Sequence, residues 1–449
     1  MSKSNSTPNK RKSGLRAQLL HSGVAAIAVR AGAMIAGLIA SVTLTRVLGP
    51  ENYGVYAFVF SIITLLGIPV KMGLPTLILR ETARADQAGD GALMIGVWRW
   101  SNRMMSMMAG GVLVLGWVFL LVFLDTDTPR TIALFWGLLL VPLIGWTEAH
   151  AAALRGLRHV ALGTFPDKIA RPILLTIVVV LLTLWHVKIN AAQIYMIHAG
   201  VAVGTLVATN LVLRAVRPYQ ARQETPRTHP RDWRRAIIPL AAIAGLNVIS
   251  HNTDILMLGT LAGDKDVGLY RVALSGANVV TFGLATANLV LQPYFARAWG
   301  ARDHSQLQKL AAAGARVSLA ATLPVLALFW LSGPELLEWI FGQSYSDAFW
   351  PLILLCFGHT VSAFFGSVGN LLTMSGREWI ALSGLAISTL VNVVLNWVLI
   401  PLYGIEGAAI ATAISVMVWN LVLWVAALII MRIDTSAIGL RRNAPEGAK

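Results

Sequence analysis

Positive charge in this 449-residue chain is sorted by the apolar segments it separates. Twelve segments are long enough to cross a bilayer, which takes about 20 mainly apolar residues. They read 19–46, 53–79, 104–124, 131–154, 169–185, 191–213, 236–262, 268–295, 313–331, 349–375, 380–401 and 407–431. Of the 36 Lys and Arg, 29 fall in the termini and even-numbered loops and 4 in the odd-numbered loops, counting Arg46, Arg171 and Arg316 at segment edges with the adjoining loops, and 3 lie within the segments. Cytoplasmic loops hold Lys and Arg because positive segments resist translocation. The partition predicts an all-α, multi-pass integral membrane protein of twelve transmembrane helices with both termini in the cytoplasm.

Composition agrees. Mean hydropathy is +0.67 and only 13% of residues are charged, where soluble domains carry about 25%. A net charge of +15 would suggest nucleic acid in a soluble protein. Here anionic lipid facing the cytoplasmic loops accounts for it, so membrane lipids are implied as partners and nucleic acid is not. The single cysteine, Cys356, excludes an intrachain disulfide. The basic start leads into an apolar run too long for a signal core, so the first helix is expected to act as an uncleaved anchor.

The odd-numbered loops are short, from Gly49-Pro50-Glu51-Asn52 to the largest at 333–347. None could hold a catalytic domain, which needs about 50 residues. No P-loop, H-E-x-x-H motif or cysteine cluster is present. The chain is therefore read as no enzyme, without cofactor or metal, and driven by an ion gradient or the membrane potential rather than by ATP.

Five regions follow. Residues 1–18 form a disordered basic tail, 19–213 an N-terminal lobe of helices 1–6, 214–235 a basic cytoplasmic linker, 236–431 a C-terminal lobe of helices 7–12, and 432–449 a cytoplasmic tail. The linker holds seven arginines and three prolines, the composition of a solvated segment against headgroups. The lobes repeat each other. Gly49 and Gly54-Val55-Tyr56 match Gly263 and Gly268-Leu269-Tyr270; Gly156 with Ala161-Leu162 matches Gly376 with Ala381-Leu382; Ile189, Ala192 and Ile194 match Ile405, Ala408 and Ile410. Six spans per repeat give both the same orientation, hence a pseudo-twofold axis along the membrane normal and a site between the lobes.

Four of these stretches carry a resemblance. The run Leu44 to Ala57, with Leu48-Gly49-Pro50-Glu51-Asn52-Tyr53-Gly54 at its centre, resembles the first loop of polysaccharide-biosynthesis (oligosaccharide flippase, Wzx-type) transporters. So do Met72-Gly73-Leu74-Pro75 to Glu81, Asp254 to Gly259 with Val267-Gly268-Leu269-Tyr270, and Asn396 to Pro401 leading to Tyr403-Gly404-Ile405-Glu406-Gly407. The resemblance implies a MATE-like fold, two six-helix lobes around a cavity lined by helices 1, 2, 7 and 8. It implies a lipid-linked oligosaccharide substrate on undecaprenyl pyrophosphate, flipped to the outer leaflet of a bacterial inner membrane for lipopolysaccharide or exopolysaccharide. Other polysaccharide assembly proteins would be partners. The rivals are a MATE-like drug or cation antiporter, which needs an acidic cavity, and a membrane-embedded polymerase or ligase, which needs a large outer loop.

Charges in mid-membrane cost about 2.5–3.5 kcal/mol or more and so face a cavity or a partner. Arg30 lies 16 residues before Arg46, too deep to snorkel, and either binds phosphate in the cavity or sits in a buried ion pair. Lys71, between Pro69 and Pro75, is either an anion contact in a proline hinge or a stem reaching the interface. Arg271 and Asp254 fall at similar depth on consecutive spans, which favours a salt bridge; the other reading makes Asp254, with His251 on the same helical face, the site of a coupling cation. Substrate-binding candidates are therefore Arg30, Lys71 and Arg271, and ion-coupling candidates Asp254 and His251. Glu148 is expected to pair with a loop arginine. Gln292-Pro293 marks either a kink or a polar wall. Trp330, Trp339 and Trp350 at the outer mouth could stack on sugar.

Overall fold

Glycines set the corners of this fold. The computed structural model describes residues 8–218 and 224–439, with side chains from residue 27 onward. Helix α1 (Pro8–Lys71) has 64 residues and would run about 96 Å if straight, three bilayer cores. It folds back at Gly49, where φ is 70° and ψ 173°, a region that costs glycine nothing. Ser41 Oγ lies 2.9 Å from the Tyr53 hydroxyl across that corner, although a straight helix would separate them by about 18 Å. Helix α14 (Glu378–Ala426) repeats the device at Gly404, with φ 55°. Across that corner the Ser388 hydroxyl donates to the Ser415 carbonyl at 2.7 Å.

Between them run α2 (Leu74–Ala88), α3 (Gly91–Phe123), α4 (Pro129–Gly137), α5 (Leu140–Gly156), α6 (Val160–Phe165), α7 (Arg171–Leu184), α8 (Ala191–Val216), α9 (Pro230–Leu261), α10 (Asp264–Gly300), α11 (His304–Phe341), α12 (Phe349–Phe365) and α13 (Val368–Met374). Among the described residues nine stretches are long and apolar enough to cross a membrane, the folded-back α1 and α14 each counting once. Helix α7 is too short alone but continues α6 through a π-turn at Pro166–Ala170. A ring of apolar side chains faces outward, most openly on α3, where Leu115 and Phe123 are each 71% exposed. Only lipid makes such a surface favourable.

The face carrying the α8–α9 connection is called here the linker face, and the opposite one the far face. At the far face one apolar core runs through both halves, joining Tyr53, Phe58 and Val59 to Leu258, Val267 and Leu269. The repeated glycines permit this. A Cβ on Gly54 would stand 1.6 Å from the Asp264 carbonyl oxygen, and one on Gly268 2.1 Å from that of Pro50. Arg130 clamps the seam, 2.9 Å from Asp264 and donating to the Gly259 carbonyl at 2.9 Å. Tyr345 donates to the Thr45 carbonyl, and Arg46 to those of Ile340 and Trp339.

Toward the linker face the halves have separate cores, one around Leu74, Met94 and Leu154 and one around Phe295, Leu371 and Leu423. Among the described residues only α9 crosses, burying Trp233 and Ile237 in the first. The linker is strapped to the N-terminal half: the Arg227 amide donates to the Ala92 carbonyl at 3.0 Å and its side chain pairs with Asp90. Residues 433–436 are buried against the C-terminal half, where Trp424 donates to Asp434 at 2.9 Å. Helix α1 begins within the stretch expected as tail. The expectations for residues 1–7, 219–223 and 440–449 lie outside the described residues.

Candidate functional site

Below the far-face seam a cavity of about 420 Å³ opens between α1, α7, α8 and α10. One wall is a stripe of small residues on the first limb of α1, Ala33, Gly37 and Ser41, spaced four apart so that they share a helical face. The second limb supplies Tyr53, Tyr56 and Phe60. These rings stack at centroid separations of 6.2 and 6.0 Å, and His198 of α8 continues the ladder 6.1 Å from Phe60. Tyr195 fixes the ladder by donating to the Tyr56 carbonyl at 2.6 Å. Ser41 and Ser275 close the wall between the halves at 3.2 Å.

Among the described residues two guanidinium groups line this space, Arg171 and Arg271, and no carboxylate does. Arg171 opens α7 directly after the π-turn. Pro166 removes an N–H from the helical ladder and the chain widens by one residue, so that the Arg171 amide bonds back to the Pro166 carbonyl. This turn presents Asp167, 4% exposed, to Arg171 at 2.8 Å and to Lys168 at 2.9 Å. Two cations share one carboxylate, and the cluster remains positive. Arg271 has no ion-pair or side-chain hydrogen-bond partner among the described residues. A cationic, aromatic-walled cavity within the membrane fits an anion carrying apolar or planar groups.

Asp254 is handled otherwise. It is 6% exposed. Its Oδ1 accepts from Asn392 at 2.9 Å and Asn396 at 2.8 Å, and its Oδ2 from Tyr270 at 2.9 Å and Thr412 at 2.6 Å. The expected Asp254–Arg271 bridge does not form. Depth along the helices agrees, but Asp254 points at α14 while Arg271 points across to the N-terminal cavity. His251 is exposed and stands outside the Asp254 network.

Of the other candidates, Lys71 is held by Glu148 at 3.0 Å and does not line the cavity. Glu148 thereby pairs with an intramembrane lysine rather than with a loop arginine. Arg30 also lies outside the cavity lining. It is exposed, one turn nearer the linker face on the stripe of Ala33, Gly37 and Ser41. Gln292 donates to Asn370 at 3.0 Å, which makes its neighbourhood a polar wall. Trp330 and Trp350 contact each other edge to face at 6.3 Å.

Sequence reasoning missed Arg171, His198 and the Asn392–Asn396–Thr412 shell. Arg171 was counted with the cytoplasmic charges because it begins an apolar run. The proline at 166 was the available signal that its helix bends into the protein.

Comparison with known proteins follows the same lines. The model of the family described as polysaccharide biosynthesis protein matches residues 19–299, and that of the family described as MatE matches 239–398. The probable low-salt glycan biosynthesis flippase of Haloferax volcanii is 25% identical over 163 residues, 36% of this chain and 34% of that protein. The chain thus matches about a third of that relative's length. In fold it is similar to an inward-facing multidrug resistance MATE family transporter of the MOP superfamily, with TM-score 0.74 and 15% identity over 89% of this chain and 94% of that one. It is also similar to the lipid II flippase MurJ in an inward closed conformation, with TM-score 0.71 and 12% identity over 89% and 86%.

Proposed function

The chain belongs to the polysaccharide biosynthesis protein family, and from that premise we propose that it flips an oligosaccharide on undecaprenyl pyrophosphate between leaflets. The observation that carries this reading is the cavity lined, among the described residues, by two arginines and no carboxylate. A pyrophosphate is the part of such a substrate least able to enter a membrane alone, and guanidinium groups are its natural partners. A drug or cation antiporter would need the opposite sign there.

The twelve spans, the two-lobe division and a cytoplasmic linker face belong to the same proposal. The far-face seam is then the outer gate, closed here, and transport alternates between opening it and opening the linker face. Expelling an anion from a negative-inside cell gains about 2.3 kcal/mol per charge per 100 mV. We assign any cation coupling to Asp254, whose shell is all neutral and whose neighbour Asn396 has a buried, unpartnered Oδ1.

The test is flipping in proteoliposomes of undecaprenyl pyrophosphate carrying one fluorescently tagged sugar. Arg271→Ala should abolish flipping and Arg271→Lys retain part of it. Full activity in Arg271→Ala would remove the cationic cavity from the mechanism.

A further inference from the structure

A second cavity, about 460 Å³, lies in the C-terminal half between α9, α10, α12, α13 and α14. In the sequence repeat α9, α10 and the two limbs of α14 correspond to the two limbs of α1, α7 and α8 around the first cavity, while α12 and α13 have no counterpart there, and the lining is different in kind. Among the described residues no Lys, Arg or His lines it, and the one charged group at its edge is Glu378. Its wall is instead amide and hydroxyl: Asn247, Asn288, Ser367, Asn370 and Asn420, with the indole of Trp419 beside them. Helix α12 ends at Gly366, where φ is 68°, and the chain resumes as α13, a broken span that brings Ser367 and Asn370 inward.

These groups are only half used. Asn247 and Asn420 each spend their N–H₂ on a carbonyl of their own helix, at 2.8 Å, and leave their oxygens without a partner among the described residues. Asn370 accepts from Gln292 with its oxygen and leaves its N–H₂. Asn288 Oδ1 and Ser367 Oγ are buried without partners among the described residues. The cavity therefore offers both donors and acceptors, and no fixed positive charge. A phosphate can only accept and would meet Glu378. A lipid tail would strand every amide. Sugar hydroxyls donate and accept alike, and the face of a pyranose stacks on indole.

We propose that the cavity bounded by Asn288, Ser367, Asn370, Asn420 and Trp419 is a subsite for neutral sugar rings of the substrate. This rests on the flippase reading: the N-terminal cavity holds the pyrophosphate and the C-terminal one selects the glycan.

The experiment is equilibrium binding to the purified full-length protein in nanodiscs. The probes are undecaprenyl pyrophosphate bare, and the same carrier bearing one hexose or one N-acetylhexosamine. At least one sugar-bearing carrier should bind about tenfold tighter than the bare one. Asn370→Leu and the smaller change Ser367→Ala should each shrink that ratio. Equal affinity for bare and sugar-bearing carriers in the unsubstituted protein overturns the subsite alone, as does a ratio that survives both substitutions. Failure to bind any carrier overturns the flippase reading and the subsite with it.

Discussion

Two charges lie deep in the membrane-spanning body, Arg271 against the N-terminal cavity and Asp254 within the C-terminal half, and their surroundings differ in one respect. Asp254 accepts four hydrogen bonds from three helical limbs. Arg271 has none on its guanidinium among the described residues. A buried charge surrounded by neutral donors ties the helices that supply them and contributes to stability. A charge left without partners in the same setting lowers stability, and such a residue persists where a ligand completes its shell. The lesson is that a charge's depth in the sequence does not reveal its role; the number of its partners does.

The largest effect should come from breaking the satisfied site. Asp254→Ala removes the shared acceptor of Asn392, Asn396, Tyr270 and Thr412, leaving them only longer contacts to one another and to Ser415. It should destabilise the protein by about 3–5 kcal/mol, since each buried donor left poorly satisfied costs about 1–3 kcal/mol. Asp254→Asn should cost less, about 1–3 kcal/mol, because one oxygen still accepts while the new N–H₂ faces donors. Thermal unfolding in detergent measures both. A fully stable Asp254→Ala protein would collapse the contrast drawn above.

Next comes its counterpart. Arg271→Ala should leave thermal stability unchanged or slightly raised, since it removes an unpaired charge. Binding of bare undecaprenyl pyrophosphate should fall by about 10- to 100-fold, as expected for losing charge-assisted hydrogen bonds worth about 1.5–3 kcal/mol. A variant that unfolds instead would show that Arg271 has structural partners and that the two charges are alike.

How much of this contrast was legible in the sequence depends on geometry. The corners at Gly49, Gly263 and Gly404 were readable, because glycine next to short polar loops between long apolar runs has few other uses. The repeat was readable for the same reason, and Gly54 and Gly268 prove to be the points where the halves touch. Azimuth was not. Residues 254 and 271 share a depth, but which neighbour each faces depends on how α9 and α10 rotate against α14 and α1. Lys71 illustrates the same limit, since its partner Glu148 is 77 residues away on α5. Arg171 was lost because a span boundary drawn on hydropathy places any arginine at its edge in water.

A smaller effect tests the intermediate case. Lys71 and Glu148 are 23% and 28% exposed and form one bond at 3.0 Å. Such a pair is partly screened, so Lys71→Met or Glu148→Gln should each cost about 1 kcal/mol or less. The double variant should recover most of that loss, because neither partner is then left alone. Flipping should be largely preserved in all three. Loss of flipping without loss of stability in Lys71→Met would return this lysine to the substrate path.

The smallest effect is expected at Arg30. Its side chain is exposed and stands one helical turn from the cavity stripe, toward the linker face. There it can attract an approaching pyrophosphate without enclosing it. An exposed cation acts mainly through long-range attraction, which salt screens within about 10 Å at 0.1 M. Arg30→Gln should therefore lower the initial flipping rate by about two- to fivefold at low salt, the size of a single solvent-screened interaction, and by less as salt rises. Arg30→Lys should match the wild type, since a point charge suffices where no bidentate contact is made. Initial rates across a salt series separate the possibilities. A salt-independent loss with Arg30→Lys as impaired as Arg30→Gln would instead place the Arg30 guanidinium in direct contact with phosphate. That result would extend the cationic site of the N-terminal half by one turn and make its difference from the C-terminal half larger than the cavity lining alone indicates.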